Sequence, residues 1–476
     1  MSTQTFDRKP PAKVGPHVGE APARDLRVLL GYGTILAVAA GVGGAAGMQP
    51  MLAIGAVLAL TVAVITLVNL TAGVCMFVAI MFLETLPGVS GGPSVTKLVG
   101  LLLVAGWLAA MAIATPEERA SRDILSRNFG LVLLLLVFLS WAVASLMWAE
   151  DTSAGRSSAM RFALNAALFP IVYAALRTPR HVQWLFALFI TGTLMSAAIG
   201  VASGQLYEGN RLEGAGINAN QLGMLLMVAT VLAVALGCGR NLSQGARLGI
   251  FAVAGLCAIA LIATASRGAM LGMAVALLVT PFLAGRGRRV GALGLIGLAV
   301  VVGFVVISMF APTSGVSRLT QGYSSGTGRV DIWTVALRMV EDKPVLGVGA
   351  GSFKASSIHY LLEPGTLIRD EFIVDEPHVP HNIYLNVLVE LGAVGLVLFL
   401  LVLGYCLLAA LRAARAFARL GDTTAEILAR GLLIALVGLL AAEFFSSQLY
   451  SKQLWLLLAT APALVAVARR SGAGTP

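Results

Sequence analysis

The sequence predicts an all-α integral membrane protein with about 12–14 transmembrane helices and one large extracytoplasmic loop containing an amphipathic helix. Three observations predict it. Only 12% of the 476 residues are charged and 58% are apolar, against about 25% charged in an ordinary soluble domain. Apolar runs long enough for about 20 residues of helix, the length that crosses a bilayer core of about 30 Å, recur between short polar stretches. Basic residues gather in alternate connections.

Residues 1–27 form a polar, Pro-containing tail with no cleavable-signal pattern, which is expected to stay in the cytoplasm. Eleven apolar runs follow within 28–310: 28–47, 51–68, 70–86, 98–115, 129–148, 159–176, 184–202, 221–237, 248–265, 268–284 and 290–310. A long polar stretch, 311–380, precedes three more within 381–468, at 383–411, 427–445 and 454–467, and 469–476 is a short C-terminal tail. The second and third runs are parted only around Asn69, and the first is rich in glycine, so twelve or thirteen spans also fit.

With the N-terminal tail inside, an even number of spans returns the C-terminus to the same side. That assignment puts 21 of the 33 basic residues in cytoplasmic segments, among them Arg119, Arg122, Arg177, Arg240, Arg247, Arg288, Arg430 and Arg470. The net charge of +10 therefore reads as membrane orientation. A nucleic-acid partner is not expected, because no basic run is long or interleaved with exposed aromatics. The four cysteines, Cys75, Cys238, Cys257 and Cys406, fall within or at the ends of spans and read as small fillers of helix interfaces.

Loops beyond about 15 residues inside compact proteins are usually functional or folded, so 311–380 draws notice. Within it, TGRVDIWTVALRMVEDKP predicts an amphipathic helix: Ile332, Ala336 and Val340 recur on one face, and Trp333 and Leu337 continue the stripe. Such a helix either lies along the interface with Trp333 as an anchor or forms a small lid packed on its own loop. The following GVGAGSF, 347–353, lacks the strand and context of a phosphate-cradling loop. It predicts a tight loop with close backbone approach.

Charge beside the apolar region of a membrane is costly, so basic residues left on the outer side are candidates for function. Arg211 lies in the short connection GNRLEGAGINANQLG, Arg267 stands alone in the hairpin TASRGAMLG, and His381 opens a span in PHVPHNIYLN. A guanidinium binds phosphate oxygens in bidentate fashion, so the two arginines suit an anionic substrate group, the alternative being headgroup-binding or snorkelling side chains. His381 can exchange a proton near neutral pH, the alternative being a cap or interfacial residue. Asp375, Glu376 and His378 lie close to it in sequence, but Pro380 breaks any helix that would align His378 with His381, and no metal or cofactor is expected. Glu390 and Glu443 form an intramembrane carboxylate pair that suggests a different class, a solute transporter; Glu390 can equally support His381.

The ordered series RLEGAGINANQLG, SRGAML, TGRVDIWTVALRMVEDKPVLGVGAGSF and PHNIYLNVLVELGAVGL, from Arg211 to Gly395, resembles the O-antigen ligase and O-antigen polymerase superfamily of membrane glycosyltransferases. The resemblance implies transfer of a glycan from undecaprenyl diphosphate to an acceptor hydroxyl outside the bacterial inner membrane. It implies that Arg211 and Arg267 hold the donor diphosphate and that His381 acts on the acceptor, with Arg329, Asn382 and Glu390 as further substrate-binding candidates. The enzyme is expected to be metal-independent and inverting. The TGR-to-GSF segment and the number of spans tilt the reading towards an O-antigen or exopolysaccharide polymerase, which extends a lipid-linked glycan. A ligase would deliver the glycan to lipid A-core, and a protein O-oligosaccharyltransferase would deliver it to Ser or Thr. The expected partners are the lipid-linked donor, the acceptor glycan or lipid A-core, and the bilayer.

Overall fold

The computed structural model describes residues 61–82, 95–204, 206–207, 211–240, 242–285, 288–289, 291, 293–294, 297, 329–361 and 379–473. They lie almost wholly in one compact unit, Ala63–Pro476. The predicted spans 28–47 and most of 290–310 fall outside the described residues, as do Asp375, Glu376 and His378.

The all-α membrane architecture is observed. Eight described helices are long and apolar enough to cross a bilayer, and three shorter apolar ones accompany them. In chain order, the helices are α1 (Leu70–Ile80), α2 (Val95–Ile113), α3 (Phe129–Ala144), α4 (Thr152–Ala175), α5 (Pro179–Ala202) and α6 (Ala219–Gly237). Then follow α7 (Gln244–Ala263), α8 (Arg267–Leu283), α9 (Arg329–Asp342), α10 (Ile383–Arg419), α11 (Thr423–Ala442) and α12 (Lys452–Ala473). A two-stranded antiparallel hairpin, β1 (Leu206–Tyr207) and β2 (Arg211–Leu212), sits between α5 and α6.

The polar residues between apolar runs are helix caps. Asp151, Thr178, Asn218, Ser243, Ser266, Asn382 and Asp422 each accept from first-turn amides that have no intrahelical partner. The helices therefore outrun the apolar windows: α4 begins at Thr152 and α5 at Pro179, and α10 continues through its basic turn to Arg419. Hydropathy marks the hydrocarbon-embedded part of a helix, whereas caps mark its ends.

Helices α6, α11 and α12 are the most enclosed, with α10, α8, α5 and α4 packed around them. Several arginines predicted to lie together on one side satisfy carbonyls at helix ends. Arg247 donates to Gly239 O (3.2 Å), Arg430 to Leu283 O (2.6 Å), and Arg470 to Leu176 O (2.8 Å) and Ser121 O (2.7 Å). Arg288 and Arg430 both pair with Glu426, at 2.9 and 2.8 Å. All four cysteines are free thiols, and Cys257 and Cys406 are fully buried.

The loop helix α9 exists and is packed on the bundle. Its buried face is Ile332, Val335, Ala336 and Met339, closed against Val348, Phe353 and Val389 of α10. Leu337, expected on that face, is 52% exposed, because the stripe follows 332, 335, 336 and 339. Trp333 donates to Pro380 O (2.6 Å) and lies against Phe444 and Phe445. Trp333 is thus tied to protein, and α9 packs on the bundle as well as on its own loop.

The GVGAGSF segment is the expected tight loop. Gly347, Gly349 and Gly351 have φ of 70°, 99° and 70°, and a Cβ at Gly349 would stand 2.6 Å from that of Ala149. The loop is latched to a break in α10 at Gly392 (φ 68°, ψ −173°). Carbonyls just before the break accept from the latch: Val389 O from Val348 N and Glu390 O from Gly349 N, both at 2.9 Å, while Leu391 O accepts from Trp141 Nε1 (2.9 Å). The Glu390 carboxylate accepts from Gly351 N (2.9 Å) and Tyr450 Oη (3.4 Å).

Beyond the latch, Ser356 Oγ donates to Glu150 (2.6 Å) and His359 Nε2 lies 2.7 Å from the same carboxylate. The Ser356 hydrogen bond, and secondarily His359, hold the exposed Glu150 below its ordinary value despite partial desolvation. A depressed carboxylate contributes stability above its unfolded value and loses it as pH falls through the folded one. Segment 353–360 is thus expected to loosen on acidification below pH 4.5, the ordinary glutamate value. Amide exchange at Lys354–Tyr360, compared at neutral and acid pH, measures this.

Candidate functional site

A cavity of about 220 Å³ opens where β2, the starts of α6, α8, α9 and α10, and the end of α11 meet. Four residues separated by up to 170 positions in sequence line it together: Arg211, Arg267, Arg329 and His381. Asn220, Ser266 and Ser446 add polar groups, Met224, Ile332, Ala442 and Phe445 add apolar wall, and among the described residues no carboxylate lines the cavity.

Each cation is positioned differently. Arg211, on β2, donates from Nε to Thr264 O (3.0 Å) and from Nη2 to Asn220 Oδ1 (2.8 Å). The Thr264 carbonyl ends α7, where a cation is favourable, so Arg211 also ties the hairpin to the α7–α8 turn. That turn is tight: Ala265 has φ 47°, and Ser266 caps α8 through Ala269 N (3.4 Å). Gly223 and Gly268 allow the close approach, since a Cβ at Gly223 would stand 2.8 Å from Thr264 Oγ1 and one at Gly268 would stand 3.0 Å from Phe445 Cβ.

Arg267 is the first residue of α8 and is exposed; among the described residues its side chain makes no hydrogen bond or ion pair. The positive end of the α8 dipole points the same way. Arg329 opens α9 and is partly buried. Burial, then the charges of Arg267 and Arg211, hold its pKa below the ordinary arginine value. Three guanidinium groups therefore repel one another in one cavity, and an anion placed among them relieves that repulsion.

His381 is held outside any helix, at φ 49°. The residues on either side are clamped: Pro380 O accepts from Trp333, and Asn382 N donates to Ser447 Oγ (3.0 Å) while its Oδ1 caps α10 at Tyr384 N and Leu385 N. Asn382 and Glu390 do not line the cavity. Their polar atoms serve the cap and the loop latch, and Glu443 accepts from Gln448 N (3.0 Å) in a separate network. Nothing in the sequence marks Asn220, Phe445 or Ser446 as a cavity residue. Asn220 sits within a quoted motif, but the turn after α11 carries no local signal.

Residues 251–400 match the family model of the O-antigen ligases. The match supports a membrane glycosyltransferase of the O-antigen ligase and polymerase type, acting on glycan or lipid-linked substrates in a bilayer. No curated protein matches the chain. Arg267, Arg329 and His381 of this cavity lie in the matched segment. Arg211 joins them from outside it, through the β hairpin.

Proposed function

We propose that the chain transfers a glycan from undecaprenyl diphosphate to an acceptor hydroxyl at the outer face of the bacterial inner membrane, without a metal and with inversion. The observation that carries this reading is the convergence of Arg211, Arg267, Arg329 and His381 on one cavity, with no carboxylate among its described lining residues. The acceptor oxygen attacks the anomeric carbon as the bond from that carbon to the diphosphate oxygen breaks. The departing oxygen gains negative charge, which preorganised guanidinium groups stabilise in place of a divalent cation. His381 receives the acceptor proton. Asn382 and Glu390 serve as positioning residues, the first through the α10 cap and the second through the loop latch.

The TGR-to-GSF segment favours a polymerase, with a second lipid-linked glycan as acceptor, whereas the description of the matching family favours a ligase. Separation of Glu390 and Glu443 into different hydrogen-bond networks weighs against a paired-carboxylate transporter site.

Purified protein given undecaprenyl-diphosphate-linked oligosaccharide is expected to release undecaprenyl diphosphate equally with and without EDTA. His381→Ala is expected to slow release by about 10²–10⁴-fold. Activity abolished by chelation and restored by a divalent ion would refute the metal-free reading, and an unimpaired His381→Ala would remove the proposed base. The product, a longer lipid-linked glycan or glycan on lipid A-core, separates polymerase from ligase.

A further inference from the structure

Outside the cavity, the first three turns of α4 have a surface unsuited to lipid tails. Thr152, Ser153, Arg156, Ser157 and Arg161 are exposed there, with Met160 the apolar exception. Helix α3, by contrast, exposes Phe129, Leu133, Leu136, Val137 and Val143. Arg161 stands about two and a half turns into a membrane-spanning helix, at the beginning of its apolar part, where a cation carries a desolvation cost. Among the described residues, neither arginine makes a hydrogen bond or ion pair.

Arg161 is also held in place, unlike a loosely snorkelling side chain. Its guanidinium lies 5.4 Å from the ring centre of Tyr450. That ring is fixed by Phe162 (4.9 Å between centres) and Glu390, and its backbone carbonyl accepts from Asn165. Tyr450 belongs to the connection after α11 in which Ser446 lines the cavity and Ser447 holds the residue after His381. Four residues of chain span at most about 14 Å, so the Tyr450 backbone lies within that distance of Ser446 in the cavity wall.

We propose that Arg161, with Arg156, forms a second lipid-phosphate site that seats the phosphate of the lipid carrying the acceptor. This rests on the transfer reading above, in which donor and acceptor are both lipid-borne. A guanidinium drawn to an aromatic ring by cation–π attraction still offers N–H groups for bidentate contact with phosphate oxygens. The exposed Ser153 and Ser157 on the same helix supply hydroxyl donors.

The test is the number of lipids bound by the full chain in phosphatidylcholine nanodiscs, read by native mass spectrometry with undecaprenyl diphosphate and bisphosphorylated lipid A as probes. Two equivalents are expected, one lost in Arg267→Ala and the other in the Arg156→Ala, Arg161→Ala double variant. The probe that supplies the second equivalent identifies the acceptor lipid. A single equivalent with both probes, or two retained by the double variant, overturns the second site. Displacement of the second equivalent by phosphatidylglycerol assigns the site to bulk headgroups and overturns the acceptor role. If the double variant binds nothing, Arg161→Lys decides: a second equivalent weakened about tenfold beside an intact first upholds the site, and unchanged affinity overturns it. Retention of both equivalents by Arg267→Ala counts against the donor reading and leaves Arg161 to its own result.

Discussion

Replacing Arg267 with alanine is expected to lower kcat/KM for transfer from a lipid-diphosphate donor by about 10²–10³-fold, the usual cost of removing a preorganised group that meets developing negative charge. The thermal midpoint should hardly move. Arg267 is exposed, and no hydrogen bond or ion pair ties it to the described residues. Alanine at the first position of α8 preserves the Ser266 cap, and surface changes of this kind stay within about 0.5 kcal/mol. Arg267→Lys should recover only part of the rate, because an ammonium keeps the charge without the bidentate fork. Arg211→Ala provides the contrast: it deprives Thr264 O and Asn220 of their donor and should lower stability and rate together. Release of undecaprenyl diphosphate, measured alongside thermal unfolding in the same detergent, tests the pair. An Arg267→Ala enzyme within about threefold of the parent would dismiss the electrostatic role assigned to that guanidinium.

Why Arg267 was legible and Ser446 was not follows from the kind of signal each carries. An arginine alone in a hairpin of two apolar helices is costly wherever the hairpin lands, so its sequence surroundings suffice to mark it. Arg329 and His381 stand out through the motifs around them. Ser446 and Phe445 matter only because α11 ends beside α8, and no local pattern encodes that adjacency. Helix α9 shows the boundary between the two cases. Its amphipathic period is plain in the sequence, but its burial of Val335 and Met339 in place of Leu337 depends on Phe353 and Val389. Glu390 stands out in the sequence as an intramembrane carboxylate near His381, yet its amide partner, Gly351, lies 39 residues upstream. Arg161 sits inside an apolar window whose hydropathy conceals it, and its partner Tyr450 lies almost three hundred positions away.

Gly392→Ala is expected to be the most damaging single-methyl change in α10, costing upwards of about 4 kcal/mol. Two effects add. At φ 68° and ψ −173° the backbone occupies a region that is essentially glycine-only, at a cost of about 1–3 kcal/mol for other residues. A Cβ there would also collide with Val345 O and approach Leu346 N to 2.7 Å, and both obstacles are backbone atoms that cannot rotate away. Relief requires the latch to leave α10, which strands the Val389 and Glu390 carbonyls that accept from Val348 and Gly349. It also separates Val389 from the α9 core. Because α9 carries Arg329 into the cavity and Trp333 holds Pro380 beside His381, transfer should fall with the lost docking even where the remaining helices stay folded. Gly404→Ala is the matched control: it lies in the same helix, and a Cβ there meets nothing within 4 Å. It should be neutral or stabilising by about 0.5–1 kcal/mol, the helix preference for alanine over glycine. Thermal unfolding of the two variants side by side measures the difference, and equal midpoints would mean that the break at Gly392 does not hold the loop to the bundle.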